Sequence, residues 1–128
     1  MVVVDTSVWI RSLADRVPYR RELDRLLALD AVVGHELIYG ELLIGDCGGR
    51  QKLLEAYERL QQATAIPHRE VVQFVRRRRL HGRGVGWVDI HLLASAIVAG
   101  VRLWTADPRF KTIATELGVG YEPLGSFS

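Results

Sequence analysis

The chain carries one cysteine, one methionine and four prolines among 128 residues. The lone thiol, Cys47, excludes an internal disulfide and a cysteine-based metal cage, and agrees with a reducing compartment. No stretch approaches the roughly 18 apolar residues that a membrane helix needs. Val2, Val3 and Val4 are followed at once by Asp5, so no secretory signal is read at the start. A cytoplasmic protein that does not enter membranes is the expectation. Excess charge is missing as well, since 17 Lys and Arg against 15 Asp and Glu leave +2, too little to require a nucleic-acid partner. The distribution is less even, because Arg76, Arg77, Arg78, Arg79 and Arg83 crowd together while the acidic residues are dispersed.

What is present is an ordinary globular composition, 48% apolar and 25% charged. A chain of this length builds one core that buries about 65–70% of its unfolded surface. Short β-rich runs alternate with helical periods, the pattern of an α/β fold on a mainly parallel sheet. Strands are expected at Val2–Val4, 31–34, 63–66 and 101–104, with a marginal fifth at 119–121. Between them, helices are expected over 7–14, from Pro18 onward, 35–44, 51–62, 68–80 and 87–99, and a last one opens at Pro108. Trp9, Ile10 and Leu13 with Leu23, Leu26 and Leu27 read as core faces of the first two helices. No repeat, linker or low-complexity segment divides the chain.

Asp5 and Asp107 each follow an apolar run, where a buried strand hands over to a helix. In an open α/β sheet, the crevice beyond the carboxyl ends of the strands is where ligands bind. Asp89 follows a glycine-rich loop at a helix start, and Glu41 or Glu36 stands on the helix expected over 35–44. Four such carboxylates without a cation would repel one another. Mg²⁺ or Mn²⁺ removes that conflict, because hard cations prefer oxygen ligands. Each residue also has a plainer reading: Asp5 and Asp107 as helix caps, Asp89 as a partner of the helix dipole, Glu41 as a solvated glutamate. Spacing alone leaves Glu36 and Glu41 as alternatives.

Four stretches, Val2-Val3-Val4-Asp5-Thr6-Ser7, Gly34 to Leu42, Gly84 to Ala94, and Leu103 to Phe110, occur in an order and spacing that resembles the PIN-domain ribonucleases, specifically the VapC toxins of type II toxin–antitoxin systems. The resemblance implies a single PIN-like domain over residues 1–128, a three-layer α/β/α sandwich with a central parallel sheet of about five strands, the first and fourth adjacent. It selects Glu41, in the sequence Gly40-Glu41-Leu42, over Glu36. It further implies that Asp5, Glu41, Asp89 and Asp107 form the catalytic Mg²⁺ or Mn²⁺ site, supported by Thr105 and Ser7. The implied activity is metal-dependent endoribonucleolytic hydrolysis of RNA that inhibits translation and growth. Implied partners are a second copy of the chain and a VapB-type antitoxin, which rather than this chain binds operator DNA.

Arg83, Arg79 and Arg76 are the basic residues expected to contact RNA phosphates, against the plainer reading of a solvated helix end. Gly82, Gly84 and Gly86 do not follow a strand, so they are not a dinucleotide fingerprint. His35 and His91 read as packing or hydrogen-bonding residues, and His68 and His81 as surface residues. Two rivals stand beside the nuclease. One is a non-catalytic PIN-like module that binds RNA or protein. The other is a receiver-like domain with Asp5 as nucleophile, which needs a second acidic residue beside it that Thr6 and Ser7 do not supply.

Overall fold

Val2–Val4 forms strand β1, and all three side chains are buried. Successive strand residues face opposite sides of a sheet. Burial of the whole run therefore requires cover on both faces, which is the layering of an α/β/α sandwich. The computed structural model describes residues 1–123, and the end of the expected single-domain span, 124–128, lies outside the described residues.

The strands β2 (Val32–Val33) and β3 (Arg102–Trp104) flank β1 in the order β2-β1-β3, all parallel. Val3 is in register with Val33 on one side and Leu103 on the other. The first and fourth expected strands are thus neighbours. The expected strands at 63–66 and 119–121 shrink to single parallel bridges, Gly34 with Gln62 and Leu103 with Gly120. Each edge segment meets its neighbour for one residue before a chain turns away. Gly34 exchanges bonds with Gln61 and Ala63 at 2.8 Å, and His35 then starts a helix. Leu103 exchanges bonds with Val119 and Tyr121, and Pro123, which has no N–H to donate, follows.

The helices are α1 (Thr6–Leu13), α2 (Val17–Ala28), α3 (Glu36–Ile44), α4 (Gln51–Glu58), α5 (His68–Arg78), α6 (Trp87–Ala99) and α7 (Pro108–Glu116). Pro18 and Pro108 stand in first turns, where their missing N–H costs nothing. Trp9, Leu23 and Leu26 join the core as expected, whereas Ile10 and Leu13 lie toward solvent. Helix α6 is the most buried, and Gly100, at φ 68°, ends it in a left-handed turn.

The direction of α6 decides where the site lies. Its end leads into β3, so its first turn must stand at the carboxyl edge of the parallel sheet. Helix α5 lies alongside it in the same direction: His68 packs on Trp87 at their starts, and Arg77 lines a cleft with Ile97 and Val98 at their ends. The connection 79–86 then returns along α7. There Arg83 pairs with Glu116 and Gly84 meets the Arg109 side chain.

Candidate active site

The carboxyl ends of β1 and β3 are joined by a bond from the Asp5 N–H to the Trp104 carbonyl, 2.8 Å. Asp5 is only 5% exposed. It occupies the N-cap position of α1, yet its side chain caps nothing. Its Oδ2 instead accepts bonds from Ser7 Oγ at 2.7 Å and Thr105 Oγ1 at 2.8 Å. Those hydroxyls are themselves held, Ser7 Oγ by the Ala106 N–H and Thr105 Oγ1 by the Asp107 N–H. The capping alternative thus fails for Asp5, whose carboxylate is oriented by Ser7 and Thr105 instead.

Asp107 does cap its helix, with Oδ1 accepting the Arg109 N–H at 2.9 Å. Glu41 Oε1 accepts the Thr6 hydroxyl at 2.6 Å, which draws the α3 side chain to the end of β1. Asp89 Oδ2 accepts the Gly86 N–H at 3.1 Å. Each of the four carboxylates therefore has one oxygen fixed by a neighbour in the chain. No buried side-chain polar atom among the described residues lacks a partner, so the other oxygen of each reaches solvent. Glu36, the rival of Glu41, is exposed in the first turn of α3.

The charges of the other three carboxylates bear on Asp89. Burial pushes the Asp89 carboxyl up to about 6, and the negative charges of Asp5, Asp107 and Glu41 push in the same direction. The Gly86 N–H alone opposes them, and no side-chain cation offsets the shift. Among the described residues, no three His, Cys, Asp or Glu side chains are gathered closely enough to enclose an ion unaided. Four spaced oxygens with unneutralised charge fit a hydrated hard cation such as Mg²⁺, which keeps several of its waters, better than a closed protein cage.

His35 takes no part in this chemistry. It is fully buried, its Nδ1 accepts the Leu37 N–H at 3.1 Å, and its Nε2 faces Ser95 Oγ at 3.0 Å. The Ser95 hydroxyl donates onward to the Thr64 carbonyl, so the Nε2 position carries the imidazole proton. Burial holds this histidine neutral, below its usual range. His91 packs on Trp87, and His68 and His81 are exposed.

The expected basic residues are not brought to the carboxylates. Arg83 is bound by both guanidinium nitrogens to Glu116, at 2.7 and 2.8 Å. Arg76 and Arg79 are exposed at the end of α5, about 15 Å along the helix from the edge that carries Asp89. The sequence reading missed two residues. One is Thr6, whose signal is the pair of adjacent hydroxyls Thr6-Ser7 directly after Asp5. Arg109 follows Asp107 and lies so close to Gly84 that a Cβ there would stand 2.6 Å from its Nη1. Nothing local in the sequence marks that approach.

The PIN domain family model matches residues 2–116, a span that holds all four carboxylates. Ribonuclease VapC32 of Mycobacterium tuberculosis, found in two strains, is 45% identical over 120 residues. The match covers 93% of this chain and 94% of that protein. With the parallel β2-β1-β3 sheet and the acidic edge, these likenesses make the chain a VapC-type member of the PIN-domain family.

Proposed function

We propose that this protein is the toxin of a type II toxin–antitoxin pair, a divalent-metal-dependent endoribonuclease that hydrolyses RNA phosphodiester bonds. The observation that carries the reading is the division of labour within each carboxylate. One oxygen of Asp5, Glu41, Asp89 and Asp107 is held by the chain and the other is left toward solvent. The four would hold Mg²⁺, or Mn²⁺ in its place. Such an ion, when bound, lowers the pKa of water and stabilises negative charge on a phosphoryl oxygen.

The chain's own contribution is positioning. Ser7 and Thr105 orient Asp5, Thr6 orients Glu41, and the Gly86 and Arg109 amides orient Asp89 and Asp107. These supports fix the side chains before substrate arrives, so little reorganisation remains for the reaction. Hydroxyls and amides rather than cations hold them, so their negative charge is not cancelled. Arg76, Arg79 and Arg83 would touch RNA only where it extends past the cleavage point.

The remaining assignments rest on family likeness: a homodimer, a VapB-type antitoxin that covers the acidic cleft and alone binds operator DNA, a single domain, and a cytoplasmic setting. No helix among the described residues is long and apolar enough to cross a membrane. A non-catalytic RNA- or protein-binding role is not favoured, since all four acidic positions are present and oriented. The test is incubation of antitoxin-free protein with total RNA and Mg²⁺ or Mn²⁺, beside EDTA and Asp5→Asn controls, with the ends mapped by sequencing. Discrete cuts that vanish in both controls are expected. Intact RNA with either metal would overturn the reading.

A further inference from the structure

Trp87 is the one tryptophan on the surface: it is 43% exposed, against 4% for Trp9 and 3% for Trp104. An indole left half in water at the start of the most buried helix has no role in the core. Two imidazoles hold it. His91, one helical turn on, meets its ring edge-on at 5.0 Å and 84°, and His68 of α5 meets it at 5.2 Å and 60°. The ring is thus fixed from its own helix and from the neighbouring one, with its remaining surface open.

Its place in the fold ties this ring to the acidic edge. Trp87 and Asp89 belong to the same first turn of α6, and the Gly86 N–H that immediately precedes Trp87 holds Asp89. Residues two apart on a helix point about 200° apart. Trp87 therefore projects from the other side of that turn, at the same edge of the sheet but off the carboxylates. We infer that Trp87, braced by His68 and His91, is a stacking platform for an unpaired nucleobase of the bound RNA strand near the scissile phosphate. The inference rests on the nuclease reading for the position of that phosphate.

The chemistry favours a base over other occupants. Flat aromatic faces take any base by stacking, and single-strand binders combine such faces with positive charge along the backbone path. Here the Arg109 guanidinium lies against Gly84, two residues before Gly86, and supplies a cation at the same mouth. A paired base is already stacked within its duplex and would have to leave it to reach the ring.

The experiment uses full-length protein carrying Asp5→Asn with Mg²⁺, so that RNA is bound without being cut. Tryptophan fluorescence and affinity are read against a short mixed-sequence single-stranded RNA, the same RNA annealed to its complement, and an abasic ribose-phosphate oligomer of equal charge. Trp87→Phe, which keeps the buried Trp9 and Trp104, assigns the response: quenching that survives in that variant does not come from Trp87. The expected result is quenching by the single strand only, and roughly tenfold or greater weakening on Trp87→Ala, the loss seen when one base-stacking aromatic is removed. Trp87→Phe should restore most of the affinity, which separates stacking from misfolding. Equal quenching by the abasic oligomer, or unchanged affinity in Trp87→Ala, would overturn the platform and turn attention to a protein contact at this ring. Cleavage by the unmutated chain is scored separately. Cutting without Trp87-dependent binding sinks the platform alone, whereas Trp87-dependent quenching by RNA that the unmutated chain never cuts supports the platform and sinks the nuclease.

Discussion

Glu22 and Asp89 are both carboxylates drawn out of water, and their surroundings push them in opposite directions. Glu22, on α2, is bound by Arg25 from the next turn and by the Tyr121 hydroxyl at 2.6 Å. Arg25 above all holds its carboxyl below the usual range. Asp89 has one backbone N–H and three negative neighbours, and burial pushes it up to about 6. A carboxylate with a structural task has its counter-charge within the chain. One left uncompensated, next to three others, leaves room for a cation from solution. Burial raises Asp89 because no counter-charge offsets it, whereas at Glu22 the Arg25 guanidinium outweighs burial.

The comparison breaks most visibly in activity. Asp5→Asn or Asp89→Asn should lower RNA cleavage by about 10²–10³-fold or more, as for loss of a group that organises transition-state charge. Asp89→Asn should also raise the stability of the metal-free protein, on the order of 1 kcal/mol, because it removes an uncompensated buried charge while its amide oxygen still accepts the Gly86 bond. Denaturant unfolding in EDTA checks the sign. Glu22→Gln should do the reverse, costing about 1–2 kcal/mol through its charge-assisted bonds to Arg25 and Tyr121 and leaving cleavage unchanged. If both variants shifted stability in the same direction, the distinction between the two sites would fail.

pH sharpens the same contrast. The folded chain holds the Asp89 proton more tightly than its ordinary value of 3.8, so folding is most favoured while that group is protonated. Stability from this group falls as pH rises from 3.8 through about 6, and the loss is complete above that. Glu22 runs the other way: its contribution is present above its ordinary 4.5 and disappears as pH falls through its lowered folded value. Melting curves in EDTA of the unmutated chain, Asp89→Asn and Glu22→Gln across the acid range should separate the two slopes. Added Mg²⁺ should raise Tm more at neutral pH than near pH 5, since ligand binding stabilises by mass action and a protonated carboxyl is a poor ligand.

How much of this was legible in the sequence follows from which features are local. Asp5 and Asp107 announce themselves because each ends an apolar run, and a parallel sheet brings such ends to one edge. Glu41 was not separable from Glu36 by spacing; family likeness chose it, and the Thr6 hydroxyl gives the physical reason. The two outer strands were over-read because hydropathy marks residues that face a core, whereas ladder length depends on where the neighbouring chain turns. Gly34 and Leu103 each find a partner for one residue only. The mutual orientation of α5 and α6 was not legible at all. Each helix announces its own polar and apolar faces, but only tertiary packing shows that the arginine run and the carboxylates stand at opposite ends of the pair.

That placement yields the smallest expected effect. If Arg76 and Arg79 gripped the scissile phosphate, their loss would slow cleavage steeply. At the far end of α5 they act on RNA through long-range charge, which a Debye length of about 8 Å at physiological salt largely screens. Arg76→Ala with Arg79→Ala should therefore change cleavage by about two-fold or less at physiological salt and more at low salt, where screening weakens. Arg109→Ala, which removes the cation beside Gly84, should have the larger effect of the two at both salt levels, read as a rise in KM. A loss for the Arg76 and Arg79 pair that equals Arg109→Ala at every salt concentration would mean that RNA crosses the whole length of α5 as it reaches Asp89, and that the basic end belongs to the site after all.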